Sequence, residues 1–386
     1  MRAEDFRDPT TGHVHRSFGG MDTFVPALLP PAISYEAVTM ALSRADVKLS
    51  ELSGAGRLLP NPHLLISPYL RREAVLSTRI EGTRTSLAEV FFAESVEDDD
   101  DRPPDADRQE VNNYVRALEL GLARLEEGRP ITLNLVLELH AVLMAGVRGQ
   151  DKAPGRLRTV QNWIGGTRLD GSDAVFVPPP PELLMDCLSD WERFLNRRDL
   201  MPDLIQCAIL HEQFEAIHPF VDGNGRMGRL LITLFLVERG RLSQPLLYLS
   251  SYIDANRDAY YDLLQAVRTD GDWENWILFF LHGVEETATE ALSQTASLVD
   301  LREMFRAQVR GNAKATELVD YLFFNPYITA RRAQSALRAS PPTAYSAIAA
   351  LEAAGILTET TGKRYGRRYL STPIADILIG DRPETA

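Results

Sequence analysis

The chain has 386 residues, 45% of them hydrophobic and 25% charged, a globular composition long enough for two or three domains, each with its own core. A net charge of −13 excludes nucleic-acid binding over the whole surface and leaves only a local basic patch for that role. Two cysteines, Cys187 and Cys207, exclude a disulfide framework and fit a reducing cytosol, the start "MRAEDFRDPT" lacks the apolar run of a signal peptide, and no apolar segment is long enough to span a bilayer, so a cytoplasmic protein with no membrane partner is expected.

Residues 1–30, rich in Pro, Gly and His, read as an irregular arm. From Ser34 to about Ser53, apolar residues at three- and four-residue spacing predict an amphipathic helix. In "SPYLRREAVLSTRIEG", Ser67 suits an N-cap, Pro68 the first helical position and Gly82 a left-handed C-terminal cap. The helical run "SLAEVFFAES" leads into "VEDDDDRPPDAD", an acidic, proline-containing run taken as an exposed linker and a boundary. Helices follow at 107–128, 131–147, 181–197 and 203–217. Between the second and third of these, Gly165-Gly166 separates two β-prone stretches, which predicts a small hairpin closed by Pro178 to Pro181. Further helices are read from "LLITLFLVERG", stopped at Gly240, and at about 254–269 and 272–309.

Residues 313–372 carry eight basic side chains against four acidic ones, a local charge of +4 in an acidic chain. Helix 314–324, a short helix from Thr329, a turn at Pro341-Pro342, helix 343–354 and the hairpin "ILTETTGKRYGRRYLS" follow the order of a winged helix-turn-helix.

The stretch "HPFVDGNGRMGR", from His218 to Arg229, holds far more polar chemistry than a turn between two apolar helices needs. A helix that starts after "DGNG" points unpartnered N–H groups and a positive dipole end outward, and glycines let an anion approach the backbone. Arg226 and Arg229 share one face near that end and can grip phosphate oxygens. Met227, Leu230, Leu231 and Leu234 form the opposite, core-facing stripe. Asp222 is a single carboxylate at the mouth, the donor that magnesium combines with phosphates and water. Asn224 can cap the helix or donate to a phosphate, and His218, across the loop, suits a base that takes a proton from a hydroxyl. The set suits transfer of a phosphorus group from a nucleotide to a hydroxyl. A plain glycine-rich turn with a buried histidine is the rival, and it requires four functional residue types to coincide by chance.

This stretch resembles the signature HxFx(D/E)GNGRxxR of the Fic family, with no departure, and the similarity extends through the helices from about 107 to 290. The resemblance implies transfer of AMP from ATP to a hydroxyl of a target protein. It makes His218 the catalytic base and Asp222 the magnesium ligand. It places ATP against Gly223, Asn224, Gly225, Arg226, Met227, Gly228 and Arg229, with Arg229 on the γ-phosphate. Ile164, Gly165, Gly166, Val175, Phe176 and Val177 resemble the family's target-pinning flap. Tyr261 in "RDAYYDLL" resembles its adenine-side tyrosine, although a core aromatic on a helix accounts for it equally well.

Glu81 ends a helix, where a negative charge opposes the dipole by roughly 0.3–1 kcal/mol. Paired at the surface with Arg79 or Arg84 it would be nearly without cost. Ser77-Thr-Arg-Ile-Glu81-Gly82 also fits the family's inhibitory motif (S/T)xxxE(G/N), whose glutamate pairs with the second signature arginine, here Arg229.

The expectation is a mainly α enzyme in three parts: an N-terminal helical segment over 1–105 with the inhibitory motif, a Fic catalytic domain over 106–300 with a small β-hairpin flap, and a winged helix over 310–375. The resemblance implies ATP as substrate, Mg2+, a target protein with a modifiable Ser, Thr or Tyr, self-modification in its absence, and a homodimer. Removal of AMP or transfer of another nucleotide or phosphate on the same fold is one alternative. A nucleotide-sensing DNA-binding regulator is the other. The helix "PTAYSAIAALEAAG" is short of base-reading side chains, which favours protein contact over DNA at the tail.

Overall fold

The computed structural model describes residues 1–6, 8–58, 62–96, 105–146, 153–168, 171–198 and 201–380. The acidic linker from 97 to 104 and residue 147 lie outside these. The first thirty residues are not an irregular arm. Strand β1 (Gly12–Arg16) pairs antiparallel with β2 (Asp22–Pro26), Val14 opposite Phe24. Strands this short, with His13 and His15 on one face of β1 and Arg16 beside Val14 on the other, leave too little alternation to read. What stabilises them is tertiary: Phe24 packs with Phe176 and Ala216 in a small cluster of its own.

Helix α1 (Tyr35–Leu58) packs along a long later helix and extends past the predicted end. Helix α2 (Pro62–Ile80) begins before Ser67 and holds Pro68 inside it, which corrects the predicted start. The Ser67 hydroxyl and carbonyl both accept from the Arg71 guanidinium, so this side chain is engaged there rather than capping a first-turn N–H. The predicted stop holds: Gly82 sits at φ +100°. Helix α3 (Leu87–Val96) opens on a reciprocal capping box between Ser86 and Glu89. Asp105 caps α4 (Ala106–Glu126) and Thr132 caps α5 (Leu133–Leu143). A 3-10 turn (Pro181–Leu183) leads into α6 (Leu184–Leu195).

Helix α7 (Asp203–Ile217) is buried over nearly its whole circumference and forms the centre of the molecule. Helix α8 (Asn224–Glu238) returns antiparallel beside it, with the motif loop between them. The single helix expected near 254–269 is two, α9 (Leu249–Ala255) and α10 (Arg257–Asp270), broken at Asn256. Helix α11 (Trp273–Gln308) runs 36 residues from the centre to the tail.

The tail comprises α12 (Ala313–Phe324), β3 (Tyr327–Thr329), α13 (Ala330–Leu337), α14 (Pro341–Ala353), β4 (Thr358–Glu359), β5 (Arg368–Leu370) and α15 (Thr372–Ile379). Its sheet has the order β3-β5-β4. Strand β3 and helix α15 were not anticipated, and α14 starts on its prolines rather than after them. Among the described residues one large hydrophobic cluster runs from Val38 to Leu378, and the small one at Phe24 stands apart from it. The chain is mainly helical.

Candidate active site

Helix α7 ends on His218, which takes a left-handed backbone conformation at φ 49° and ψ 61°. That geometry is costly for a non-glycine residue, by about 1–3 kcal/mol. The buried Arg158 guanidinium holds it, donating to the His218 carbonyl at 2.8 Å and to the Ile217 carbonyl at 3.3 Å. Asn162 donates to the Phe220 carbonyl at 2.9 Å. The His218 Nδ1 faces the Glu215 carbonyl at 3.3 Å. A carbonyl only accepts, so Nδ1 carries the proton and Nε2 keeps its lone pair. Burial, helped by the charges of Arg158 and Arg268, pushes the ring's pKa down to about 3, so it is neutral throughout the physiological range.

The loop folds on its own atoms. Asn224 accepts from the Phe220 N–H at 2.8 Å and donates to the Phe220 carbonyl at 2.9 Å, so its side chain is committed to the turn rather than to a phosphate. Gly223 has φ +80°, and a Cβ there would lie 2.8 Å from the Met144 Sδ. His140 stacks on Phe220 with centroids 3.6 Å apart and bonds the Asp222 carbonyl at 2.9 Å. The first-turn N–H groups of α8 therefore face the mouth of the site.

Asp222 stands at that mouth with about a third of its side chain exposed. Its Oδ1 accepts from the Gly223 N–H at 2.6 Å and from Arg226 at 3.1 Å. Arg226 is buried and also donates to Glu110 at 2.8 Å. Arg229 is buried too, and it meets the inhibitory motif. Its Nε donates to the Ser77 Oγ at 2.9 Å, and its Nη2 to the Ser77 carbonyl at 2.9 Å and to the Glu81 carboxylate at 2.6 Å. Burial pushes the Glu81 carboxyl up, but Arg229, with smaller help from Arg226, outweighs this and holds it below its ordinary value. A Cβ on Gly225 would overlap the Glu81 carboxylate, so that carboxylate lies directly over the first turn of α8. It occupies the place an anion would take.

Two residues that the resemblance places against ATP face elsewhere. The Met227 side chain is fully buried in the core, and its N–H already donates to the Gly223 carbonyl. Gly228 faces Glu215 and His211 on α7. The flap is a hairpin held by a single bridge between Ile164 and Phe176, with Gly165 at φ +70° and Gly166 at φ +83°. Val175 is exposed, but Phe176 and Val177 are buried, and the Val177 carbonyl accepts from the Phe24 N–H at 2.8 Å. These two therefore anchor the flap instead of facing a target. The core aromatic proves to be Tyr260, whose hydroxyl meets the His211 Nε2 at 2.8 Å. Tyr261 is 41% exposed, its ring edge-on to Tyr260, near enough to Glu81 and Arg229 for their charges to act on its hydroxyl.

Sequence reasoning missed Arg158, Asn162 and His140, which hold the loop from outside the motif. A buried arginine and a stacked histidine carry no local signature, because their partners are backbone atoms some sixty or eighty residues away.

Helices α7 and α8 joined by this loop, with α2 laid across the end of α8, define a Fic fold. Residues 39–123 match the Fic/DOC family N-terminal description and residues 130–236 the Fic/DOC family description, and the chain belongs to that family through these two domains. A protein adenylyltransferase Fic from Culex quinquefasciatus is 32% identical over 182 residues, 45% of this chain and 33% of the relative. A probable protein adenylyltransferase from Aquifex aeolicus is 38% identical over 86 residues, 22% of this chain and 27% of the relative. The chain thus spans about a third of the length of these relatives. Among solved structures, a Fic family protein from Desulfovibrio desulfuricans G20 superposes with a TM-score of 0.58 at 21% identity, covering 89% of this chain and 98% of that one. Fic-1 from C. elegans gives 0.51 at 22% identity, covering 67% and 73%. These two likenesses speak for the fold.

Proposed function

We propose that the protein transfers AMP from ATP to a hydroxyl of a target protein, and that Glu81 holds this activity in check. The carrying observation is the Glu81 carboxylate, which lies over the first turn of α8 and takes the Arg229 guanidinium at 2.6 Å. The adenylyltransferase names of the relatives point the same way. The triphosphate would lie along the first turn of α8, against the N–H groups of Gly225 and Arg226. Arg229, released from Glu81, would hold the γ-phosphate. His218 Nε2 would take the proton of the attacking hydroxyl. The hydroxyl oxygen bonds to the α-phosphorus, the bond from that phosphorus to pyrophosphate breaks, and pyrophosphate leaves. Mg2+ fits Asp222, since magnesium uses one or two carboxylates with phosphates and water, and Asp222 stands part-exposed at the mouth. When bound, it neutralises phosphate charge.

The finer parts of this reading concern partners and organisation. The three-part division at 1–105, 106–300 and 310–375, the winged-helix assignment of the tail, two copies per particle and self-modification belong to it. So does a contact at the tail, where Lys363, Arg364, Tyr365 and Arg367 are exposed and offer an anionic protein surface, or a DNA backbone, a place to dock. None of the described helices is long and apolar enough to cross a membrane, and a cytoplasmic setting completes the proposal.

Purified chain, its Glu81→Gly variant and the Glu81→Gly/His218→Ala variant, each incubated with magnesium and α-labelled ATP and weighed intact, test it. An AMP adduct strongest on Glu81→Gly, weaker on the unchanged chain and absent without His218 is expected. Glu81→Gly with no more adduct than the unchanged chain sinks the brake. Retained transfer by His218→Ala sinks the base. Loss of AMP from a pre-modified protein would favour hydrolytic removal, with Glu81 placing the water.

A further inference from the structure

Arg229 cannot simply be released. Its side chain is 2% exposed, and Glu81 is the carboxylate it bonds. Withdrawal of Glu81 would leave a buried cation uncompensated, which is strongly unfavourable unless another buried anion shares its charge. Two carboxylates lie in its field. Glu73 already accepts at Oε1 from Tyr114 at 3.1 Å and Ser250 at 2.5 Å. Glu215 has no such partners among the described residues: it is 6% exposed, and its Oε1, like the second oxygen of Glu73, is buried without a hydrogen bond. The last turn of α7 carries it, and its own carbonyl orients His218. Its carboxylate reaches across to α8 at Gly228, the residue next to Arg229. A Cβ on Gly228 would lie 2.5 Å from that oxygen, so glycine there is what lets the carboxylate approach. The nearby Arg268 is already paired with Glu212 at 3.0 Å.

We propose that Glu215 is a positioning residue, the buried counter-charge that keeps Arg229 at the phosphate seat once Glu81 has left it. Gly228 serves this contact rather than the nucleotide. While Glu81 is bound, Arg229 is held twice and Glu215 is dispensable. Once Glu81 is gone, Arg229 without Glu215 turns out to solvent, and the triphosphate loses a contact.

The inference rests on Arg229 as a phosphate ligand. Binding of a non-hydrolysable ATP analogue with magnesium, measured by calorimetry, tests it in two backgrounds. In the Glu81→Gly chain, Glu215→Gln should weaken binding about tenfold, with Glu215→Asp restoring part of the loss. In the chain that keeps Glu81, Glu215→Gln should change binding little. Gly228→Ala, which pushes the carboxylate aside, should repeat the pattern if Glu215→Gln fails to fold, with circular dichroism as the check. Equal loss in both backgrounds, or none, overturns the proposal while leaving the function intact. No analogue binding by Glu81→Gly itself overturns both.

Discussion

Three side chains outside the motif hold His218 where the motif alone would not. Arg158 is the strongest case: it is buried, and burial pushes its guanidinium down to about 10 while four carbonyls, those of Val160, Pro179, Ile217 and His218, accept its hydrogen bonds. Arg158→Ala would leave those carbonyls unpaired, at about 1–3 kcal/mol, and free a strained backbone at the base. The expected outcome, in the Glu81→Gly background, is a fall in kcat of roughly 10- to 100-fold with ATP-analogue binding kept. An unchanged kcat would remove Arg158 from the positioning of His218. At this scale the motif was legible because its residues are contiguous. Its buttresses were not, since each acts through space on a backbone atom.

Among the elements, α2 connects the most. Its C-terminal end brings Ser77 and Glu81 to Arg229, while Arg71, two turns earlier, lies 4.8 Å from the Phe324 ring of the tail and bonds Glu94 on α3 at 2.6 Å. The tail also docks on α3. Asn325 donates to the Phe91 carbonyl at 2.9 Å, and the Arg368 guanidinium sits 4.4 Å over Phe92. Asn325 also accepts from the Tyr327 N–H at 2.9 Å, so Asn325→Ala removes both bonds, leaves that N–H without its partner, and should lower the stability of the full chain by about 1–3 kcal/mol in denaturant unfolding. A change within experimental error would show that the docking rests on the apolar contacts alone. The end of α2 was readable from Gly82, but its start was not. A proline inside a helix imitates a first-turn proline, so Pro68 by itself does not tell the two apart.

Over the whole molecule, buried titratable groups set how stability follows pH. Burial pushes His211 and His218 down to about 3 and His140 to about 4, against an ordinary 6.5. The unfolded chain binds more protons than the folded one as pH drops below 6.5, so these groups remove stability on the acid side. Burial pushes Glu73 and Glu215 up to about 7, against an ordinary 4.5. Their contribution is complete below 4.5 and is lost as pH rises through 7. Between 4.5 and 6.5 the two sets oppose each other, and below 4.5 the histidines are joined by carboxyls held low in the fold, Glu81 among them. The melting temperature should therefore vary little between those values and fall steeply below the lower one. Glu73→Gln with Glu215→Gln should flatten any decline near neutrality. A melting temperature that holds steady down to pH 3 would refute this account.

The order of the helices, the stop at Gly82, the anion-binding loop and the pairing of Glu81 with the second arginine were all readable from the sequence. The helices, the stop and the loop rest on local grammar: periodicity, caps, or residues a few places apart whose geometry a helix fixes in advance; the pairing of Glu81 with Arg229, 148 residues apart, came from the resemblance of residues 77–82 to the family's inhibitory motif. The seat of Glu81 over Gly225, the burial of Phe176 and Val177, the strands β1 to β3 and the one large hydrophobic cluster were decided by tertiary structure. Those features depend on what lies opposite a residue, and a short strand or a buried charge finds its stability only in a partner that the fold brings from far along the chain.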